Sequence, residues 1–363
     1  SDFRNHAVTY LISEMIELHD RENFEIYGFS SGPGSDDEGR LRLEKAFDHF
    51  IDIKEKNTQN VVDLCNTLEI DIAIDLGGYT AFARPELFAQ RIAPIQISYL
   101  GFIGTTGSQY MDYIIADRTV VTDELGVNFS EKIIYMPNCY QVSNSKRKIS
   151  DRVFTREELG LPESGPIYCC FNNSYKINPP TFDSWMRILQ RVEGSVLWLI
   201  KDNLSVIQNL QNEAKKRGID PKRLVFAERI ANKDYLARFT VADLFLDTLP
   251  YNAGTTANDA LFVGLPVLTL QGQSFVGRMA SSLLHAINLP ELVTRSRSEY
   301  EDKAVQLALS PALLNEIKNK LKAERHTSPL FNTELFTRHI ETAFKKVFGL
   351  YTAGQPPSTL HVE

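Results

Sequence analysis

One lysine stands where a strand-like run meets a helix-like run, in the segment IYCCFNNSYKIN (Ile167–Asn178). The apolar run ends at Asn172, and Lys176 follows four residues later. The next residues, PPTFDSWMRILQRV, combine a helix start with apolar spacing near 3.6 residues. Because the N-terminal end of a helix favours anions, a lysine at such a junction is suited to bind a phosphate. The alternative is a solvated lysine in a surface loop.

A second candidate phosphate loop lies downstream, in DTLPYNAGTTANDALFVGLPVLT (247–269). Gly254, Thr255 and Thr256 would let backbone N–H groups and hydroxyls approach an anion at the start of a helix. Asp259 is expected in the first turn of that helix, where a carboxylate could accept ribose hydroxyls. The alternative is a plain helix cap, with Thr256 as the N-cap residue and Asp259 as its N3 acid.

Composition restricts the class of protein. The 363 residues carry a net charge of −7 and are 43% hydrophobic, which argues against a general nucleic-acid or membrane-surface binder. No apolar run approaches the roughly 18 residues that span a bilayer, and there is no basic-then-apolar N-terminal signal. The four cysteines show no CxxC spacing, so we expect reduced thiols in a cytoplasmic protein without structural zinc.

Strands alternate with helices twice along the chain, which predicts two Rossmann-like doubly wound α/β domains. The polar segment NSKRKISDRVFTREELGLPESG (144–165) is the expected linker. We place an N-terminal domain at 1–148, a C-terminal nucleotide-sugar domain at 149–345 and a tail at 346–363, of which GQPPSTLHVE (354–363) is expected to be frayed. The first residues of the sequence are typical of a loop that follows a strand, so we expect that a first strand precedes Ser1.

Three common nucleotide or metal motifs are missing. No Gly loop fits the dinucleotide fingerprint, and there is no GxxxxGK[ST] P-loop. There is no Asp-x-Asp either, so a carboxylate-held divalent metal is not indicated.

Several blocks together resemble a known family. SDFRNH, DLGGYTAFARPELFAQRIAPIQISYLGFIGTTG, FNNSYKI and DTLPYNAGTTANDALFVGLPVLT are similar to the catalytic region of O-GlcNAc transferases, and most of all to bacterial Spindly-like forms that carry tetratricopeptide repeats. The resemblance implies a GT-B fold, with two Rossmann-like domains facing a cleft and C-terminal helices crossing back. It also implies inverting, metal-independent transfer of GlcNAc from UDP-GlcNAc to Ser/Thr hydroxyls of proteins, with no cofactor.

The resemblance also assigns residues to roles. Lys176 would neutralise the leaving diphosphate, and Asp2 and His6 would lie near the reacting centre, where Asp2 could help remove the acceptor proton. Leu100 and Gly101 would surround the N-acetyl group. The residues implied in binding the nucleotide part of the donor are Asn173, Tyr175, Ile230, Tyr235, Arg238, Gly254, Thr255, Thr256 and Asp259.

The chain departs from the family pattern at three of its nucleobase positions. Tyr235 and Gly254 stand where the family usually has His, and Asn232 stands where animal enzymes have Lys. GDP-fucose as donor and a degenerate nucleotide-binding module without transfer therefore stay open as alternatives. A sugar-nucleotide epimerase or a lipid-linked glycosyltransferase on the same fold is a further one. The tetratricopeptide array that would bind the acceptor protein is absent from these residues, and no nucleic-acid or membrane partner is expected.

Overall fold

The computed structural model describes residues 1–363, which form two compact units. The N-terminal unit comprises Ser1–Lys146 and Pro329–Glu363, and the C-terminal unit comprises Arg147–Ser328. The sequence-based boundaries differ from this division, because they placed residues 329–345 in the second domain. Those residues belong to the N-terminal unit since their long helix packs on its first helix, where Glu341 Oε1 lies 2.9 Å from His19 Nδ1.

The N-terminal unit alternates short parallel strands with helices. Its strands are β1 (Tyr27–Ser30), β2 (His49–Asp52), β3 (Ile72–Asp75), β4 (Ile95–Ser98), β5 (Tyr113–Asp117), β6 (Lys132–Met136) and β13 (Leu360–His361). Its helices are α1 (Ala7–Leu18), α2 (Glu38–Ala46), α3 (Thr58–Thr67), α4 (Pro85–Ala89), α5 (Asp123–Gly126) and α13 (Thr333–Thr352).

These strands form two separate parallel sheets. One has the order β13-β6-β5-β4-β3, and the other contains only β1 and β2. A mostly apolar cavity of about 480 Å³ lies between them and is lined by residues of both β1 and β3, including Phe29 and Ala73. The expectation that a strand precedes Ser1 stays untested by these residues.

Residues 354–363 were expected to be frayed, and that prediction is wrong for the last four of them. Leu360 and His361 pair in parallel with Ile134 and Tyr135 of β6, and Val362 is buried. The His361 ring stacks on the Tyr135 ring at 5.0 Å between centroids, so the last residues extend the sheet by one strand.

The C-terminal unit contains one parallel six-stranded sheet of order β12-β11-β10-β7-β8-β9. Its strands are β7 (Ile167–Cys170), β8 (Val196–Ile200), β9 (Leu224–Ala227), β10 (Leu244–Leu246), β11 (Val267–Leu270) and β12 (Val293–Thr294). Its helices are α6 (Pro179–Arg191), α7 (Leu204–Lys216), α8 (Asn232–Arg238), α9 (Thr255–Val263), α10 (Met279–Ala286), α11 (Arg297–Leu309) and α12 (Pro311–Thr327).

The central strands of this sheet explain its near-continuous apolar sequence. β7 and β8 are buried along their whole length, as expected for parallel strands covered by helices on both faces. The chain moves from β7 outward to β9 and then returns to β10 on the other side of β7. The strand order therefore reverses beside β7, and in open α/β sheets ligands bind at the carboxyl ends of strands at such a point.

None of the helices in either unit is long and apolar enough to cross a bilayer.

Candidate functional site

The segment from β7 to α6 forms the predicted strand-to-helix junction. After β7, Asn172 donates from Nδ2 to Thr248 Oγ1 at 2.9 Å, which joins the ends of two neighbouring strands. A short 3₁₀ turn, Ser174–Lys176, follows. Asn178 then caps α6 by accepting the N–H of Thr181 at 3.0 Å. Lys176 is thereby held at the carboxyl end of the sheet, as its sequence context predicts.

Lys176 points toward the second predicted loop. Its Nζ donates to the backbone carbonyl of Asn252 at 2.9 Å and lies 3.9 Å from the centroid of the Tyr251 ring. Burial lowers the pKa of Lys176 from 10.5 to about 8, and the nearby Asp247 carboxylate opposes part of that effect. A partly desolvated ammonium with one carbonyl partner retains donors for an anion.

Asp247 organises the loop that Lys176 reaches. This buried carboxylate accepts the N–H groups of Thr248 and Ala253 and the Thr269 hydroxyl, each at 2.7 Å. Burial raises its pKa to about 6. Because residues 248–253 wrap around one carboxylate, the Asn252 carbonyl and the start of α9 have a fixed place next to β10.

Helix α9 begins without a side-chain cap. Gly254 is its N-cap residue, and Thr255 and Thr256 are its first two residues. The first N–H groups of a helix have no partner within the helix, so this end is suited to an anion. The alternative of a helix cap is wrong, because Thr256 lies inside the helix. Asp259 is its fifth residue, two residues further along than predicted and just past the first turn.

Asp259 forms a buried ion pair with Arg147. The Arg147 Nη1 donates to Asp259 Oδ1, and the two side chains are only 4% and 7% exposed. Burial raises the pKa of the Asp259 carboxyl, while Arg147 and a hydrogen bond from Tyr235 oppose the rise. Asp259 shares a helix face with Thr255 and Thr256, which precede it by four and three residues.

Tyr235 and Arg238, predicted near the nucleobase, lie together on α8. The Arg238 guanidinium stands over the Phe171 ring at 4.6 Å and over the Tyr235 ring at 5.1 Å. Its side chain is almost fully buried, and its Nη1 donates to the Glu228 carbonyl. In this structure the Arg238 guanidinium therefore packs against the aromatic rings of Phe171 and Tyr235.

Three further predicted residues are exposed. Asn173 accepts from Arg229 Nη2 at 3.2 Å. The Tyr175 side chain is 69% exposed, and its ring lies 6.1 Å from the Tyr251 ring. Ile230 is exposed between β9 and α8. Asn173 and Tyr175 belong to the Lys176 loop, and Ile230 belongs to the β9–α8 connection.

The remaining predicted residues lie in the N-terminal unit. His6 caps α1 by accepting the Val8 N–H on Nδ1 at 3.3 Å, which places the proton of the neutral ring on Nε2. That nitrogen lies 3.7 Å from Asp2 Oδ1, and Arg4 Nη2 lies 3.6 Å from the same oxygen. Burial lowers the pKa of His6, so the ring is neutral near pH 7.

Leu100 and Gly101 form a tight turn after β4. Leu100 has a φ of 70°, and the Gly101 N–H donates to the Tyr99 carbonyl at 2.9 Å. A Cβ added at Gly101 would lie 1.8 Å from the Leu76 carbonyl oxygen and 3.7 Å from Val8 Cγ2. The turn therefore passes close to β3 and to the start of α1, where His6 lies.

The structure thus brings the predicted residues together in two groups, one in each unit. It also shows contributions that sequence reasoning did not assign, those of Arg147, Asp247, Tyr251 and Asn252, of which the last three lie in or next to the second candidate loop. Only Asp247 carried a signal, as an acid that ends an apolar strand. No group of three or more His, Cys, Asp or Glu side chains that could hold a metal is present, and the expected metal independence stays a prediction.

Comparison with protein families gives one match across most of the chain. The model of glycosyl transferase family 41 matches residues 1–151 and 144–340. A probable UDP-N-acetylglucosamine–peptide N-acetylglucosaminyltransferase, SEC, of Arabidopsis thaliana is 35% identical over the whole chain. The corresponding transferase of Caenorhabditis elegans is 25% identical over 98% of the chain. The chain spans 38% and 41% of these two relatives.

Comparison with solved structures confirms the predicted GT-B fold class. A lysine-to-methionine mutant of the Thermobaculum terrenum O-GlcNAc transferase superposes with a TM-score of 0.87 at 29% identity, over 96% of this chain and 66% of that one. Anabaena HepE in complex with UDP and glucose superposes with a TM-score of 0.61 at 13% identity, over 94% of this chain and 95% of HepE, which supports the fold alone.

Proposed function

Because the chain belongs to glycosyl transferase family 41, we propose that it transfers N-acetylglucosamine from UDP-GlcNAc to Ser or Thr hydroxyls of proteins. The observation that carries the proposal is the position of Lys176, whose ammonium reaches the loop leading into the uncapped α9. The curated relatives are named for the same donor and for peptide acceptors. The matching region covers only part of their length, so the activity of the whole protein is part of the proposal.

The diphosphate would bind between the Lys176 ammonium and the first turn of α9. Lys176 supplies a positive charge, and Thr255 and Thr256 supply hydroxyl and backbone donors. These groups are fixed before the ligand arrives, because Asp247 holds the connecting loop. Preorganised donors of this kind stabilise charge that develops on a leaving group.

The proposed reaction is a single displacement with inversion. The acceptor hydroxyl oxygen bonds to the anomeric carbon of the sugar, and the bond from that carbon to the diphosphate oxygen breaks with its electron pair leaving on UDP. The hydroxyl proton passes to a general base, for which Asp2 is the candidate. Neutral His6 would donate a hydrogen bond from Nε2 near the reacting centre. Lys176 and α9 would neutralise the leaving UDP, so the step as proposed uses no metal.

Mass spectrometry tests the proposal directly. The protein is incubated with UDP-GlcNAc and a library of Ser/Thr peptides, and the peptides are examined for an added N-acetylhexosamine. We expect modification by the wild type and a fall of roughly 10²–10³-fold in rate for Lys176→Met. Lys215→Met, an exposed lysine of α7, serves as the matched control. Transfer from GDP-fucose instead, or tight UDP binding without turnover of any donor, would overturn the proposal.

A further inference from the structure

In the segment between β6 and β7, Arg147 is the first residue of the C-terminal unit, and its side chain is buried within that unit. Arg147 lies in irregular backbone, yet its side chain is only 4% exposed. Burying a guanidinium is costly unless it is paired and hydrogen-bonded. Its position therefore depends on the partners that it finds on α8 and α9.

Those partners surround the predicted nucleotide site. Arg147 pairs with Asp259 of α9, its Nη2 lies 3.4 Å from Asn232 Oδ1 of α8, and its guanidinium lies 5.8 Å from the Phe262 ring. Phe262 follows Asp259 by three residues on the same helix. Arg147 thus connects the two helices that carry the residues predicted to bind ribose and base.

The Asp259 carboxylate has acceptor capacity left after these contacts. An ionised carboxylate has about four acceptor sites, and Arg147 and Tyr235 each occupy one. Asp259 stands one helical turn from Thr255 and Thr256, on the face that they share. A ligand whose phosphates bind at those threonines would carry its sugar hydroxyls toward Asp259.

From this arrangement we propose that Arg147 is a positioning residue, which orients the Asp259 carboxylate so that its remaining oxygen lone pairs accept the ribose hydroxyls of the nucleotide. Arg147 itself does not touch the nucleotide. The inference rests on the proposed function, because it takes the nucleotide to bind at α9.

The charged and titratable groups around Asp259 decide how pH enters the test. Arg147 and Tyr235 face it directly, Arg238 lies beside Tyr235, and Arg325 stands 5.6 Å from the Phe262 ring. Removing Arg147 takes away the nearest positive charge, so the pKa of Asp259 rises further. As pH falls, the Asp259 carboxylate of Arg147→Met should therefore be protonated first, and this variant should lose its preference for the ribose hydroxyls at a higher pH than the wild type does.

The deciding experiment is calorimetry with UDP and its 2′-deoxy and 3′-deoxy analogues, between pH 5 and 7.5. The wild type should bind UDP at least tenfold more tightly than one of the analogues. Arg147→Met should lose most of that preference, and Arg147→Lys should keep part of it. Lys148→Met, an exposed neighbour on the same segment, should match the wild type.

Two further variants separate positioning from folding. Asp259→Asn should lose the same preference for UDP over the deoxy analogues. The double variant Arg147→Met/Asp259→Asn should lose little more of that preference than either single variant. It also leaves no unpaired buried charge. Equal ribose preference and equal pH profiles in the wild type and Arg147→Met, or in the wild type and Arg147→Met/Asp259→Asn if Arg147→Met does not fold, would overturn the inference alone. Absence of UDP binding by the wild type would overturn it together with the proposed function.

Discussion

The Lys176 ammonium donates to the carbonyl oxygen of Asn252 at 2.9 Å, three residues before helix α9 begins. The contact joins the strand-to-helix junction after β7 to the junction after β10. It places a positive charge on the loop that leads into α9, whose first backbone N–H groups have no partner within the helix. A diphosphate is the ligand that such a pairing of charge and donors favours.

UDP binding should weaken in alkaline solution, because the pKa of Lys176 is lowered to about 8 by burial. Below that pH the side chain is the ammonium that the diphosphate requires. Above pH 8 the Lys176 side chain of the free protein is mostly the neutral amine, so UDP binding requires that it take up a proton. The affinity for UDP should therefore fall by up to about tenfold per pH unit. Calorimetry between pH 7 and 9.5 measures this, and Lys176→Arg should remove the dependence. A pH-independent affinity in the wild type would contradict this role for Lys176.

Replacing Thr255 or Thr256 with Val should weaken UDP binding by about five- to tenfold each. Each change removes one hydroxyl donor but keeps the shape of the side chain and the helix start. The control is Thr240→Val, an exposed threonine of the same unit whose hydroxyl bonds only to the Ala237 carbonyl. Unchanged UDP affinity in both site variants would mean that their hydroxyls do not contact the ligand.

Asp247 should lower the free energy of unfolding as pH rises. An ordinary ion-paired acid has the opposite effect. Burial raises its folded-state pKa from 3.8 to about 6, so the folded protein holds a proton that the unfolded chain releases. Its contribution therefore falls by about 2 kcal/mol as pH rises from 4 to 6, by a few tenths more between pH 6 and 7, and then stays constant. Urea denaturation at pH 4, 5, 6 and 7 should show that the difference in unfolding free energy between the wild type and Asp247→Asn follows this course. A difference that does not vary with pH would contradict it.

Gly101→Ala should destabilise the N-terminal unit strongly. The added Cβ would lie 1.8 Å from the Leu76 carbonyl oxygen, a backbone atom that can move only with β3. We expect a loss of about 3 kcal/mol or more in the free energy of unfolding, measured by urea denaturation. Gly34→Ala, where a Cβ would meet no atom within 4 Å, should change it by less than about 1 kcal/mol. Equal stability of the two variants would show that the turn is not packed as described.

Local patterns predicted the elements and much of the site in the C-terminal unit. The junction that carries Lys176 and the loop before Thr255 could be found because each combines a buried strand, small or polar residues and a helix start within about a dozen residues. The roles that the resemblance assigns to these residues stay predictions until they are tested with ligands.

The contributors that sequence reasoning missed depend on contacts between distant parts of the chain. Arg147 lies in a polar segment without periodicity, and nothing in the sequence links it to Asp259, 112 residues later. The pairing of Leu360 with Ile134 was missed for the same reason, because a two-residue strand has no pattern of its own. The position of α13 in the N-terminal unit also follows from packing rather than from its order in the chain.

The measurement that tests the central claim most directly is the calorimetric affinity for UDP of the wild type, Lys176→Met and Lys215→Met. A buried charge-assisted contact to a diphosphate contributes roughly 1.5–3 kcal/mol, so Lys176→Met should bind UDP about 10–100-fold more weakly. Lys215→Met should bind it as the wild type does. If Lys176→Met binds UDP within twofold of the wild type at pH 7, Lys176 does not hold the diphosphate, and the account of the site is wrong.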